Sequence, residues 1–160
     1  MRILTKKGFS MYEVIITLAI LSIVSSLVIL VSRNAATNAK NRSGQTLLLA
    51  AETNAQKVTI ESEDYPLYPN NIASLMTVSE LTFVNTASTS NSVVSVYQPN
   101  NSTLVMTLLS GNSCWILVDA GAAQPKWGEA RNPVGSCLAS SINTTSVTSV
   151  DRNSPSSISL

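Results

Sequence analysis

The residues that invite chemistry cluster at the start of the chain. Glu13 is a lone carboxylate at the head of an apolar run, and Phe9 follows Gly8 at the end of a leader that carries Arg2, Lys6 and Lys7. From Val14 to Val31, 18 residues hold no charge, no Pro and no Gly. That is the lower edge of what crosses a bilayer core, and a helix is the only isolated segment that can do so. Thr17, Ser22, Ser25 and Ser26 interrupt the run, but hydroxyls can bond back to helix carbonyls. The leading cations place the N-terminus in the cytoplasm and everything after Ser32 outside. A carboxylate at such a helix head is cheap if it lies at the interface, where it suits the positive helix end. Otherwise it awaits a cationic partner.

A secretory signal would carry a shorter apolar core and a small-x-small cleavage site after it. Here no Ala-x-Ala occurs between Phe9 and Lys40, and the cleavage-like feature, Gly8, comes before the apolar run. The segment Lys6-Lys7-Gly8-Phe9-Ser10-Met11-Tyr12-Glu13, followed by Val-Ile-Ile-Thr-Leu-Ala-Ile-Leu, resembles the class III signal of type IV pilins and pseudopilins. The resemblance implies cleavage after Gly8 by a prepilin peptidase and N-methylation of Phe9. It also implies that Glu13 pairs with the N-terminal amine of a neighbouring subunit. Two departures stand out: many pilins have Pro where this chain has Leu30, and Gly where it has Ser22.

From Arg33 to about Ile60 the chain turns polar but keeps good helix formers and has no Pro. Leu48, Ala51, Ala55 and Val58 form an apolar stripe at helical spacing. One helix from Phe9 to about Ile60 would run roughly 75–80 Å; the alternative is two helices jointed near Asn41 to Gly44. Pro66 and Pro69 close this region. Beyond it, Asn91–Gln98 and Ser102–Leu109 read as a hairpin, Cys114–Asp119 as a third strand and Thr77–Val84 as a fourth. The expected fold is α+β: a long helical spine, membrane-spanning in its first half, packed against a small antiparallel β-sheet head, as in the pilin fold. Its parts are a leader (1–8), a transmembrane or filament-core half (9–32), an amphipathic half (33–61), the head (62–139) and a flexible Ser/Thr-rich tail (140–160).

Cys114 and Cys137 fall outside the membrane by the charge argument, where disulfides form. Two cysteines without any His argue against a metal site and for a bridge. The stretch they enclose is irregular after Asp119 and resembles the outward-facing C-terminal loop of pilins.

No His is present, so the commonest acid–base group is missing. Asp119 and Glu129 read as ordinary surface charges, and no phosphate loop or nucleophile elbow occurs. The net charge of +1 falls to −2 with the loss of the leader's three cations, before the new amine is counted. Nothing here suggests nucleic-acid binding by a single subunit. The expectation is a structural protein without enzyme activity, cofactor or metal. It would be a pilus subunit that polymerises with itself or other pilins, with prepilin peptidase and the inner-membrane assembly machinery as further partners. It would sit as a single-pass inner-membrane protein before assembly and at the cell surface afterwards. A minor pilin or a pseudopilin of a secretion or competence system is the alternative. An uncleaved, single-span anchored binding domain is a second.

Overall fold

The computed structural model describes residues 9–63, 67–131, 133 and 137–160; within it, side chains 27–31, 33 and 34 are outside the description. Lys6, Lys7 and Gly8 therefore lie outside the described residues. The chain divides into two compact units between Asn38 and Ala39. One long helix, α1 (Met11–Glu61), enters both units and has no break at Asn41 to Gly44. A short α2 (Ile72–Leu75) follows.

Among the described residues six strands then form one sheet in sequence order: β1 (Thr82–Val84), β2 (Val93–Asn100), β3 (Thr103–Ser110), β4 (Ser113–Asp119), β5 (Lys126–Arg131) and β6 (Ser156–Ser157). The central strands β2 to β5 pair antiparallel. Both edge strands, β1 and β6, pair parallel to their neighbours. Gly111, at φ +63°, opens the two-residue turn between β3 and β4, a conformation that favours glycine.

Two expectations are corrected here. Among the described residues no helix is long and apolar enough to cross a membrane. The transmembrane half of the helix, and with it a single-pass location in the inner membrane, is withdrawn. The sheet is also not a small antiparallel one: it is six-stranded and mixed, and the expected pilin fold, a membrane-spanning helical spine on an antiparallel sheet, is not seen. The physical reason is the path of the last segment. After β5 the chain crosses the back of the sheet and returns beside β5, which is the long connection that parallel pairing needs.

Within the second unit the sheet is covered on both faces. On the front, Leu48, Ala51 and Ala55 of α1 share a core with Val96, Leu104, Met106, Leu108, Trp115 and Leu117. These strand residues alternate along β2, β3 and β4, as one pleated face requires. On the back, Val105, Cys114, Ile116 and Val118 meet Cys137, Ala139, Ile142 and Val147. The composition of 140–160 suggests a flexible tail; instead Ile142 and Val147 are buried and Ser156–Ser157 joins the sheet. Two buried strand hydroxyls fasten this cover. Thr107 Oγ1 donates to the Cys137 carbonyl at 3.0 Å, and Ser95 Oγ accepts from Ala139 N at 3.1 Å.

The disulfide Cys114–Cys137 ties β4 to the same cover, with Cα atoms 5.5 Å apart. The stretch it encloses is not simply an irregular loop, because it contains most of β4 and all of β5.

Gly44 is a close approach and no hinge. A Cβ placed there would stand 2.7 Å from Ser110 Cβ and 3.1 Å from Trp115 Cδ1. Gly44→Ala is expected to destabilise the second unit by about 1–2 kcal/mol. Overpacking costs about 1–3 kcal/mol, and better helix propensity offsets just under 1 of it. Denaturant unfolding of Gly44→Ala and of Gly44→Ala/Ser110→Gly tests this, with partial recovery expected in the double variant. Opening the disulfide closes no other crosslink, since no free cysteine exists. Cys114→Ser/Cys137→Ser is expected to lower stability by roughly 3 kcal/mol in the loop-entropy picture, read as a shifted urea midpoint.

Candidate functional site

The first unit presents the N-terminal chemistry. Phe9 precedes α1 and is 80% exposed. The Ser10 carbonyl accepts from Glu13 N at 3.0 Å and Val14 N at 3.2 Å, so the helix begins at once and Glu13 falls in its first turn. The Glu13 side chain is exposed and makes no hydrogen bond or ion pair among the described residues. A carboxylate there benefits modestly from the helix dipole.

Beyond it, every described side chain to Ser26 is exposed, including Ile15, Leu18, Leu21 and Ile23. The intervening hydroxyls turn inward on the helix. Thr17, Ser22, Ser25 and Ser26 each donate to a carbonyl three or four residues back, at 2.7–2.8 Å. The outer surface of this helical stretch is therefore more apolar than its composition suggests.

The second unit holds a site that sequence reasoning missed. Asp119, which reads as a surface charge in the sequence, is fully buried at the end of β4. Its Oδ2 accepts from Tyr68 Oη at 2.5 Å and from Gln56 Nε2 at 3.4 Å; its Oδ1 accepts from Gly121 N at 3.0 Å. Gln56 Nε2 also donates to Glu52 Oε1 at 3.0 Å. One amide thus bridges two carboxyl groups in the seam between α1 and the sheet. Glu52 is only 5% exposed. Burial first, and the nearby Asp119 charge second, raise its pKa from the usual 4.5 to about 7.

Both acids could have been read as buried. Glu52 lies four residues after Leu48 and three before Ala55, on the buried stripe, and Asp119 continues the Trp115–Leu117 alternation. Glu129, which also reads as a surface charge, is buried and accepts from Ser113 Oγ at 2.8 Å and Arg131 Nε at 3.2 Å. The structure does not bring Asp119 and Glu129 into one hydrogen-bonded group. Among the described residues no cluster of three His, Cys, Asp or Glu could hold a metal.

No protein-family model matches the chain, and neither a curated protein nor a solved structure matches it. The pilin resemblance rests on residues of the sequence, chiefly Lys6 to Glu13.

Glu52 makes stability depend on pH with a definite sign. Between pH 4.5 and about 7 the unfolded chain has released the Glu52 proton while the folded chain retains it. Folding then binds a proton, so stability falls as pH rises through this window and is level above it. The loss is on the order of 2 kcal/mol, allowing for solvent screening at the rim. Glu52→Gln is expected to flatten this segment and to raise the melting temperature at pH 8. Melting curves of both proteins from pH 5 to 8 provide the check, and parallel pH profiles would refute the assignment.

Proposed function

We propose that this chain is the structural subunit of a filament of the type IV pilin kind, polymerising through the apolar first part of α1. The observation that carries the proposal is the exposure of that helix on all sides from Met11 to Ser26, with Phe9 exposed just before it. A helix apolar all round belongs in a larger apolar assembly. Each large apolar side chain left in water forgoes about 1.5–3 kcal/mol of burial. The eleven exposed large apolar side chains from Phe9 to Val24 supply ample driving force for association, even after the loss of rotational and translational freedom.

Glu13 then sets the register. Within a bundle of such helices an unpaired carboxylate would cost several kcal/mol, and a cationic partner offsets this. Cleavage after Gly8 would create that cation as the Phe9 α-amine. One cut thereby releases the helix and supplies the partner for the Glu13 of a neighbouring copy. The second unit does no catalysis in this reading. Its doubly covered, disulfide-tied sheet provides a firm body that the polymer displays.

The test is chemical and morphological together. Mass spectrometry of the mature chain in a host with a prepilin peptidase should find an N-terminus at methylated Phe9. Electron microscopy of sheared material should show filaments containing the protein. Glu13→Val should be cleaved normally yet be absent from filaments. A retained leader, or wild-type filaments from Glu13→Val, would overturn the proposal.

A further inference from the structure

The second unit has a cavity of about 430 Å³ beside β2, and nothing in the filament reading uses it. It lies where β1 leaves the sheet. The last β1 partner on β2 is Ser95, opposite Val84, so Asn85 turns away just as β2 continues through Val96, Tyr97 and Gln98. The opposite wall is the segment from Asn70 to Ser74. That segment is held in place from below: Tyr68 N donates to the Asn101 carbonyl, and Gln98 Nε2 donates to the Tyr68 carbonyl at 2.8 Å.

The lining is unusual in its chemistry. It contains no charged residue, but it carries the side-chain amides of Asn70, Asn71, Asn85 and Gln98. The amides of Asn70, Asn71 and Asn85 make no hydrogen bond among the described residues, and all three residues are exposed. Gln98 spends its Nε2 on Tyr68, which leaves Oε1 buried without a partner. Tyr97 adds a ring that is 41% exposed.

We infer that this cavity binds a neutral glycan. A carboxamide offers a donor and an acceptor side by side, which matches adjacent sugar hydroxyls. An aromatic face packs on the apolar C–H face of a pyranose ring while its rim remains wet. The absence of charge removes the attraction that an acidic or phosphorylated ligand would require. The volume lies in the lower part of the range for small-ligand pockets, about 300–1,000 Å³. A peptide added as an extra strand is the competing occupant, but the open edge of β2, Val96 to Asn100, is interrupted by Pro99, which has no N–H to give to a ladder.

Saturation-transfer NMR on the full chain tests this whether the protein is free or assembled. The probes are N-acetyllactosamine, N,N′-diacetylchitobiose and maltotriose, with a Val-Thr-Val-Thr-Val peptide as comparison. A saturable signal from at least one glycan is expected. It should weaken about tenfold or more in Tyr97→Ala and also in Asn85→Ala, at unchanged circular dichroism and melting temperature. Silence from all three glycans, equal binding by both variants, or saturable binding of the peptide alone would overturn the inference. Failure of filament formation would leave this result standing, since the cavity lies wholly in the second unit.

Discussion

The second unit depends on how closely one helix can lie on one sheet. The part of α1 that seats there shows the sheet a small surface: Gly44, Leu48, Ala51 and Ala55. Two alanines and a glycine let the backbone approach, and Leu48 fills the remaining depth against the strands. At Gly44 the approach is so close that Ser110 and Trp115 occupy the space a Cβ would need. Ser110 Oγ adds a hydrogen bond of 2.8 Å to the Lys40 carbonyl, so the contact is fixed by polar as well as apolar groups. Once this seam is set, the alternating residues of β2, β3 and β4 have a fixed inner face, and their register is no longer free to slip.

The same closeness explains why two carboxyl groups are buried along the seam. Glu52 occupies the stripe next to Ala51, and Asp119 ends the strand that faces it. The small residues draw both out of water. Gln56 and Tyr68 then satisfy oxygens that would otherwise lose their hydrogen bonds. Among the described residues Asp119 receives three donors and Glu52 one, so the two acids are not equivalent, and burial raises the pKa of Glu52. The arrangement is a local concession to packing, and its pH signature follows from where the proton is held.

The sequence is legible wherever one residue's environment follows from its own periodicity. The stripe from Leu48 to Ala55, the hairpin of β2 and β3, and strand β4 are visible in three-to-four-residue or two-residue spacing. The disulfide is visible because only two cysteines exist. What the spacing does not show is the back of the sheet. Ser95 and Thr107 look like solvent-facing residues of half-buried strands, yet both are buried because residues 137–139 lie on them. Strand β5 is hidden in Lys-Trp-Gly-Glu-Ala-Arg, where Gly128 and the charged Lys126, Glu129 and Arg131 obscure the alternation. The Ser-rich last segment has the composition of a tail but carries Ile142, Val147 and Ile158 at places the back face can accept. Each of these depends on a partner distant in sequence, which local patterning cannot supply.

The two parts of α1 solve the same physical problem in opposite ways. In the second unit the apolar stripe is narrow and the chain brings its own sheet to cover it. In the first unit the apolar surface runs round the helix, and hydroxyls that could have wetted it are bonded back to the backbone. An amphipathic helix needs one partner surface, but an all-round apolar one needs partners on several sides. Several copies of the same helix provide these with no new sequence, because each copy is at once the covered and the covering element. In the proposed filament Glu13 would be the one charged side chain described in that surface, and its pairing would decide how neighbouring helices are staggered.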